Sequence, residues 1–293
     1  MAAEMQTHSE LASLRAQISR WRCAGLKVAF VPTMGNLHGG HYGLVDYAHT
    51  LADRVVVSIF VNPTQFGPNE DFASYPRTLD ADSAGLREHR TSALYLPQMA
   101  EIYPYGESVA WVEVPGLSEI LCGAVRPGHF RGVASVVARL FNHVAPDIAV
   151  FGEKDYQQLL VIRRMSTDLS FPIEIHGAPI ARDPDGLAQS SRNQYLTPDE
   201  RARAAQLYAR LQEVVAAIAA SQPDADATAD ASARLKAQGF RPDYLEVRRR
   251  SDLLEPHACD SELIVLAAAY LGRARLIDNI QFNRSAPGAV SRS

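Results

Sequence analysis

Residues 26–66 read LKVAFVPTMGNLHGGHYGLVDYAHTLADRVVVSIFVNPTQF. The apolar run at 26–32 stops at Pro32, as a buried strand does. Residues 41–52 then place Leu44, Val45, Ala48 and Leu51 on one helical face. RVVVSIFV (54–61) is β-branched and apolar, the composition of a strand. One strand–helix–strand unit is thus written in a single stretch.

The alternation continues outward. Thr78 caps a helix that runs to about Arg90, and LYLP (94–97) reads as a strand. VAWVEV (109–114) is another strand candidate in a less regular stretch. Residues 130–145 form a helix with Val133, Val136, Val137, Leu140, Phe141 and Val144 apolar. DIAVFG (147–152) is a strand, DYQQLLVIRRMSTDL (155–169) a helix and PIEIHG (172–177) a strand. Such alternation predicts an α/β fold with a parallel sheet covered on both faces, the doubly wound nucleotide-binding class. After about 180 the pattern changes. Residues 182–196 are a polar loop, and Thr197-Pro198-Asp199-Glu200 starts a helix with a cap, a first-turn proline and a capping-box glutamate. That Ala-rich helix extends to about 220, a second runs to about Gln238, and YLEV (244–247), LIVLAAAY (263–270) and RLIDNI (275–280) read as strands. Two domains follow: 1–180, and a smaller α+β domain at 181–293 whose tail, SAPGAVSRS, is loose.

The 293 residues suit one large or two moderate domains. Hydrophobic residues at 47% and charged residues at 21% are those of a soluble globular protein. No apolar run approaches the roughly 20 residues of a membrane span. The opening MAAEMQTHSELASLR has no apolar block, so no secretory signal is expected and the cytoplasm is the expected address. A net charge of −4 argues against holding a long nucleic-acid backbone. Cys23, Cys122 and Cys259 are odd in number and far apart, which suggests neither disulfides nor a thiolate metal site.

Four segments carry possible chemistry. Met34-Gly35-Asn36-Leu37-His38-Gly39-Gly40-His41 lies between a strand end and a helix start, where free N–H groups and the helix dipole suit phosphate. Its glycines let backbone approach a ligand, and His38 and His41 can each donate to a phosphate oxygen. A histidine metal pair is the rival reading, and it lacks a third ligand. Asn62-Pro63-Thr64-Gln65 follows the strand at 54–61, and Gln65 offers a donor and an acceptor for a substrate with hydroxyls and a carboxylate. Gly152-Glu153-Lys154-Asp155 again joins strand to helix. Lys154 is one of only three lysines, and Gln158 lies a helical turn beyond it. Gln189-Ser190-Ser191-Arg192 lies in the interdomain loop, with hydroxyls and a guanidinium suited to phosphate. Taken singly, the last three have ordinary readings as a turn, a solvated charge cluster and a polar linker. Three of the four sit at strand ends of one sheet. Asp71, Asp80 and Asp82 are helix-start acids, any of which can help hold Mg²⁺.

PTMGNLHGGH, FVNPTQFGPNEDF, YPRTLDAD, RPGHFRGVASVV, FGEKDYQQLLVIRRM, DGLAQSSRN and RLIDNI, in this order, resemble the pantothenate synthetase (pantoate–β-alanine ligase) family across residues 25–282. The HxGH motif alone resembles the wider nucleotidyltransferase superfamily. The resemblance implies a Rossmann-like nucleotide- and pantoate-binding first domain and a smaller C-terminal lid domain. It implies an ATP-dependent ligase that joins (R)-pantoate to β-alanine through pantoyl-adenylate, releasing AMP and pyrophosphate. It further implies Mg²⁺ and a homodimer, while the charge and the lack of a long apolar run lead us to expect no nucleic-acid or membrane partner. By position, Met34 through His41, Gly152 through Asp155, Ala181 and Gln189 through Arg192 meet ATP. His41, His38 and Lys154 are the implied catalytic residues, and Gln65 and Gln158 hold pantoate, with Gln65 bordering the β-alanine pocket. Gln189 stands where the family usually has an apolar residue, Ala181 where valine is frequent, and Gly39 where an acid is common. The chemistry suits these residues: a carboxylate is already a nucleophile, and the sequence offers no Ser-His-Asp or Cys-His arrangement. The rivals are transfer of AMP to another small acceptor, and nucleotide binding without turnover.

Overall fold

The computed structural model describes residues 5–68, 70, 72–106 and 110–284. Asp71, the first residue of the 109–114 strand candidate, and the tail from 285 lie outside the described residues. By contact the chain forms two compact units. One holds the residues up to Glu153 together with Gln157–Pro179, and the other holds Lys154–Tyr156 and the chain from Ile180 onward.

The first unit is a six-stranded parallel sheet built from β1 (Gln6–His8), β2 (Val28–Thr33), β3 (Arg54–Ile59), β4 (Ala93–Tyr95), β5 (Ile148–Gly152) and β6 (Glu174–Ala178), in the order β1-β4-β3-β2-β5-β6. Its helices are α1 (Leu11–Cys23), α2 (Gly39–His49), α3 (Leu79–Glu88), the short α4 (Met99–Ile102) and α5 (Cys122–Val125), α6 (His129–Val144) and α7 (Tyr156–Asp168). Val28–Val31 and Val55–Val57 are wholly buried, as central parallel strands covered on both faces must be. Ala29, Val31, Val55 and Val57 pack with Val45 and Ala48 of α2 and Leu86 of α3. Phe30 points to the other face, edge-on to Phe141 of α6 with ring centroids 6.5 Å apart. Phe141 also meets Phe151 and Phe171 edge-on, so one ring of α6 packs against three others.

The strand expected at 109–114 is absent over its described residues, 110–114. Their backbone is satisfied from α6 instead. The Ser135 hydroxyl accepts the Val112 N–H at 2.8 Å and donates to its carbonyl at 3.3 Å, and Arg139 donates to the Ala110 carbonyl at 2.7 Å. The edge strand β1 and the helix α1 have no counterpart among the elements expected from the sequence.

Chain order and sheet order together locate a crevice. From β2 the chain moves outward to β3 and β4, then returns to lay β5 on the other side of β2. That reversal makes β2 and β5 the switch point, outside whose carboxyl ends ligands bind in open α/β sheets. Their ladder pairs Ala29 with Ile148 and Phe30 with Ala149, while β2 continues to Thr33 and β5 to Gly152. The two strands pair with each other only low and part toward their carboxyl ends, where Met34 and Glu153 begin the two loops.

The second unit has an antiparallel sheet β7 (Arg241–Arg249), β8 (Glu262–Leu271) and β9 (Ala274–Asn283), with β8 central, and helices α8 (Pro198–Ala204), α9 (Gln206–Ala219) and α10 (Asp224–Ala237). The Thr197 capping box forms as the sequence specifies: Thr197 Oγ1 accepts the Glu200 N–H at 3.3 Å and Glu200 Oε2 accepts the Thr197 N–H at 2.8 Å. Leu207, Leu211 and Val214 of α9 and Leu235 of α10 bury against Leu263, Val265, Ala267 and Ala269 of β8, the alternate residues of one strand face. Among the described residues no helix is long and apolar enough to cross a membrane.

Candidate active site

The loop after β2 is shaped by one buried acid. Gly35 (φ +81°) and Asn36 (φ +52°) are both left-handed, and a Cβ on Gly35 would lie 3.0 Å from Ile59 and 3.1 Å from the Asp82 carboxylate. The reversal turns the N–H groups of Asn36 and Leu37 onto Asp82, at 2.9 and 2.8 Å, and the Thr78 hydroxyl adds a third donor at 3.1 Å. Asp82 is 2% exposed. Among the acids weighed for Mg²⁺, it is therefore committed to loop backbone, and Asp80 is exposed on the first turn of α3.

This loop delivers His38 to the N-cap of α2. His38 Nδ1 accepts the Gly40 N–H at 3.1 Å, and His41 Nδ1 accepts the His38 N–H at 3.4 Å, a capping box made of two imidazoles. The rings sit 4.1 Å apart between centroids. A ring nitrogen that accepts an N–H bears no proton, so in both rings the neutral tautomer carries its proton on Nε2. Two half-buried Nε2–H donors thus lie at a helix N-terminus, at the carboxyl end of β2.

Gln65 closes a single 3-10 turn, Pro63–Gln65, after β3. Its amide donates to Met34 Sδ at 3.1 Å, which joins the loops that follow β2 and β3. Its Oε1 accepts from Asn62 Nδ2 at 3.0 Å. Asn62, 1% exposed, also donates to the Gly132 carbonyl and accepts the Tyr103 hydroxyl at 2.6 Å. From α6, His129 Nδ1 donates to the Gln65 carbonyl at 2.8 Å while its Nε2 accepts from Arg126 at 2.9 Å. The other two guanidinium nitrogens of Arg126, Nε and Nη2, donate to the two Glu70 oxygens at 2.6 Å. Burial alone would raise the Glu70 carboxyl, but the Arg126 guanidinium outweighs it and holds the group below its usual range. Helix α6 reaches this turn because Gly132 has no side chain: a Cβ there would lie 2.4 Å from the Thr64 carbonyl oxygen.

At the end of β5, α2 runs close by, with Leu44 3.8 Å from where a Gly152 Cβ would stand. Glu153 is half-buried beside Gly177. Gln157 spends its amide on loop backbone, accepting from Cys122 and donating to Leu117 and Ile120, whereas Gln158 is half-buried at the next position of α7.

In the second unit, Lys154 is half-buried and Asp155 exposed. Residues 181–189 form a tight hairpin instead of an open loop: the Gln189 N–H donates to the Ala181 carbonyl at 2.9 Å, and Arg182 bridges antiparallel to Ala188. Gln189 braces that hairpin by donating to Asp183 at 3.1 Å. Ser190 then caps the 3-10 helix Ser191–Tyr195, accepting the Arg192 N–H at 3.2 Å.

Met34 and Gln65, and His38 with His41, are therefore brought together within the first unit, with Gln158 on the first turn of α7, the helix that follows β5. Lys154, Ala181 and Gln189–Arg192 belong to the second unit. Asn62, Tyr103, Gly132, His129, Arg126 and Asp82 have no role assigned from the sequence beyond the listing of Asp82 among acids for Mg²⁺. All but Tyr103 lie in FVNPTQF, TLDAD and RPGHFRG, segments that carry the family resemblance.

The family model described as pantoate-beta-alanine ligase matches residues 6–281. A pantothenate synthetase of Methylococcus capsulatus is 55% identical over 278 residues, covering 94% of this chain and 97% of that protein. The crystal structure of pantothenate synthetase from Thermus thermophilus superposes with a TM-score of 0.87 at 46% identity, covering 94% of this chain and 99% of that one. The pantoate-beta-alanine ligase of Francisella tularensis, solved in complex with beta-gamma ATP and beta-alanine, gives 0.79 at 32% identity over 94% and 97% of the two chains.

Proposed function

The chain belongs to the pantoate-beta-alanine ligase family, and from that premise we propose that it condenses (R)-pantoate with β-alanine at the expense of ATP, in two steps. In the first, a pantoate carboxylate oxygen attacks the α-phosphorus and pyrophosphate leaves, giving pantoyl-adenylate. In the second, the neutral amine of β-alanine attacks the acyl carbon, AMP leaves and the amine proton passes to solvent. The observation that carries this reading is the pair of imidazoles at the N-terminus of α2, beside the crevice between β2 and β5. Nε2–H donors fixed before the reaction stabilise charge as it gathers on phosphate oxygens. We assign this role to His41 and His38, with Lys154 neutralising the triphosphate and the backbone of Met34–Gly40 and Gly152–Asp155 lining the nucleotide. Gln65 and Gln158 hold pantoate. The second unit acts as a lid that brings Ala181 to the adenine and Gln189–Arg192 to the phosphates, excluding water from an adenylate that hydrolyses readily.

Mg²⁺ belongs to the same proposal. Among the described residues no group of three His, Cys, Asp or Glu side chains is placed to cage a metal, and Asp82 already accepts from three donors. This donor set fits a cation that arrives on phosphate oxygens, as Mg²⁺ usually does, and no step is routed through it. A homodimer is part of the proposal and is tested by sedimentation.

The deciding experiment is AMP release from ATP and Mg²⁺ with pantoate and β-alanine supplied separately and together. Rapid AMP only with both, matched by pantothenate, is the expected result. ATP binding without AMP release would overturn the reading in favour of another acceptor or a non-catalytic protein.

A further inference from the structure

RLIDNI (275–280) falls on β9 and carries two buried polar residues, Asp278 at 4% and Asn279 at 3% exposure, in a unit whose core is otherwise apolar. Arg182 donates to both Asp278 oxygens, at 2.6 and 2.8 Å, and the Asn279 backbone N–H gives a third bond at 2.8 Å. Arg182 opens the hairpin that ends at Gln189, and the same guanidinium donates to the Gly186 carbonyl and lies 3.7 Å over the Tyr208 ring. Asp278 thus fixes the base of the segment carrying Ser190–Arg192. The neighbouring residue holds a different segment: Asn279 Nδ2 donates to the Lys154 carbonyl at 3.1 Å. The other end of that short segment is held as well, since the Tyr156 hydroxyl donates to the Arg250 carbonyl at 3.0 Å.

A buried ion pair is seldom the most stable filling of a core, since well-packed apolar residues serve as well or better. What Asp278 and Asn279 supply that apolar residues cannot is directional attachment of two separate backbones to one strand. Resting on the function proposed above, we propose that Asn279 is a positioning residue for Lys154, acting through the Lys154 carbonyl, and that with Asp278 it sets the spacing between Lys154 and the Ser190–Arg192 segment, so that β9 presents both to the nucleotide's phosphates. Placement errors of about 1 Å cost reaction rates heavily when catalysis depends on fixed charges.

A double-mutant cycle tests this. Asn279→Asp keeps the size of the side chain and replaces the N–H donor with an oxygen facing the Lys154 carbonyl. kcat and KM for ATP are measured in the wild type, Asn279→Asp, Lys154→Ala and the double variant, with Asn279→Ala run through the same cycle to separate the effect of the new charge and to stand in should the first variant not fold. The expected result is a loss of about tenfold in kcat from Asn279→Asp that shrinks to less than about twofold when Lys154 is already alanine. An equal loss in both backgrounds, or wild-type kcat in Asn279→Asp, would overturn the inference and leave the proposed function standing. Wild-type turnover in Lys154→Ala alone would overturn the role of Lys154 and the inference with it.

Discussion

The buried Asp82 carboxylate accepts the backbone N–H of Asn36 at 2.9 Å, at a residue whose φ is +52°. An acid on α3 thereby holds the loop that delivers His38 to α2. Asp82→Asn leaves one acceptor where two N–H groups converge and places an amide N–H among donors. The expected cost is roughly 1–3 kcal/mol of stability. Turnover should fall further than the lost stability explains, because the loop is free to leave its left-handed turn. Denaturant unfolding alongside kcat gives the comparison; unchanged kcat in the folded variant would separate Asp82 from the reaction.

Removing an imidazole removes a preorganised donor. His41→Ala is expected to lower kcat on the order of a hundredfold or more with the fold intact. Steady-state AMP release measures it, and wild-type turnover in the folded variant removes His41 from the role assigned.

Gly132→Ala forces a Cβ to within 2.4 Å of the Thr64 carbonyl, which is backbone and cannot rotate aside. The helix and the Gln65 turn must separate, at an expected cost of about 1–3 kcal/mol. Because Gln65 is assigned to pantoate, KM for the acid should rise more than KM for ATP. Equal effects on both would argue that the turn is only structural.

Three histidines set an acid limit. His8, His49 and His143 are each pushed below the ordinary 6.5, first by burial and then by Arg20, Arg90 and Arg15 respectively. The unfolded chain takes up protons near 6.5 while these folded groups do not, so stability is whole above that pH and is lost as pH falls below it, until the folded groups titrate. Thermal melts from about pH 8 down to about pH 5 should show the decline, and His143→Gln should flatten it. An unchanged slope would assign the acid sensitivity elsewhere.

The parallel core was legible because strands buried on both faces are written as unbroken apolar runs, VAFV and VVV above all. β1 was not: it has three residues, only His8 of them buried, and it sits at an edge. α1 buries just Leu14, Gln17 and Ile18, too sparse a stripe to announce a helix. Residues 110–114 misled because alternation resembles a strand wherever side chains can replace the ladder, as Ser135 and Arg139 do here. The same division holds at the site. The His38–His41 spacing is local and reads directly from sequence. Asp82 reaches its partner across 46 positions and Asn62 reaches Gly132 across 70, and no local pattern records such pairings.

The sheet order also dictates a sequence of events in time. Gln6 pairs with Ala93 and His8 with Tyr95, so β1, which precedes the other described strands in the chain, has no neighbour until β4 has emerged. β2 can pair with β3 long before that, through residues that follow it closely in the chain. Closing the longer loop costs more entropy before any contact rewards it. β1 is therefore expected to join after β2, β3 and β4, so that this half of the sheet grows from its middle toward its edge.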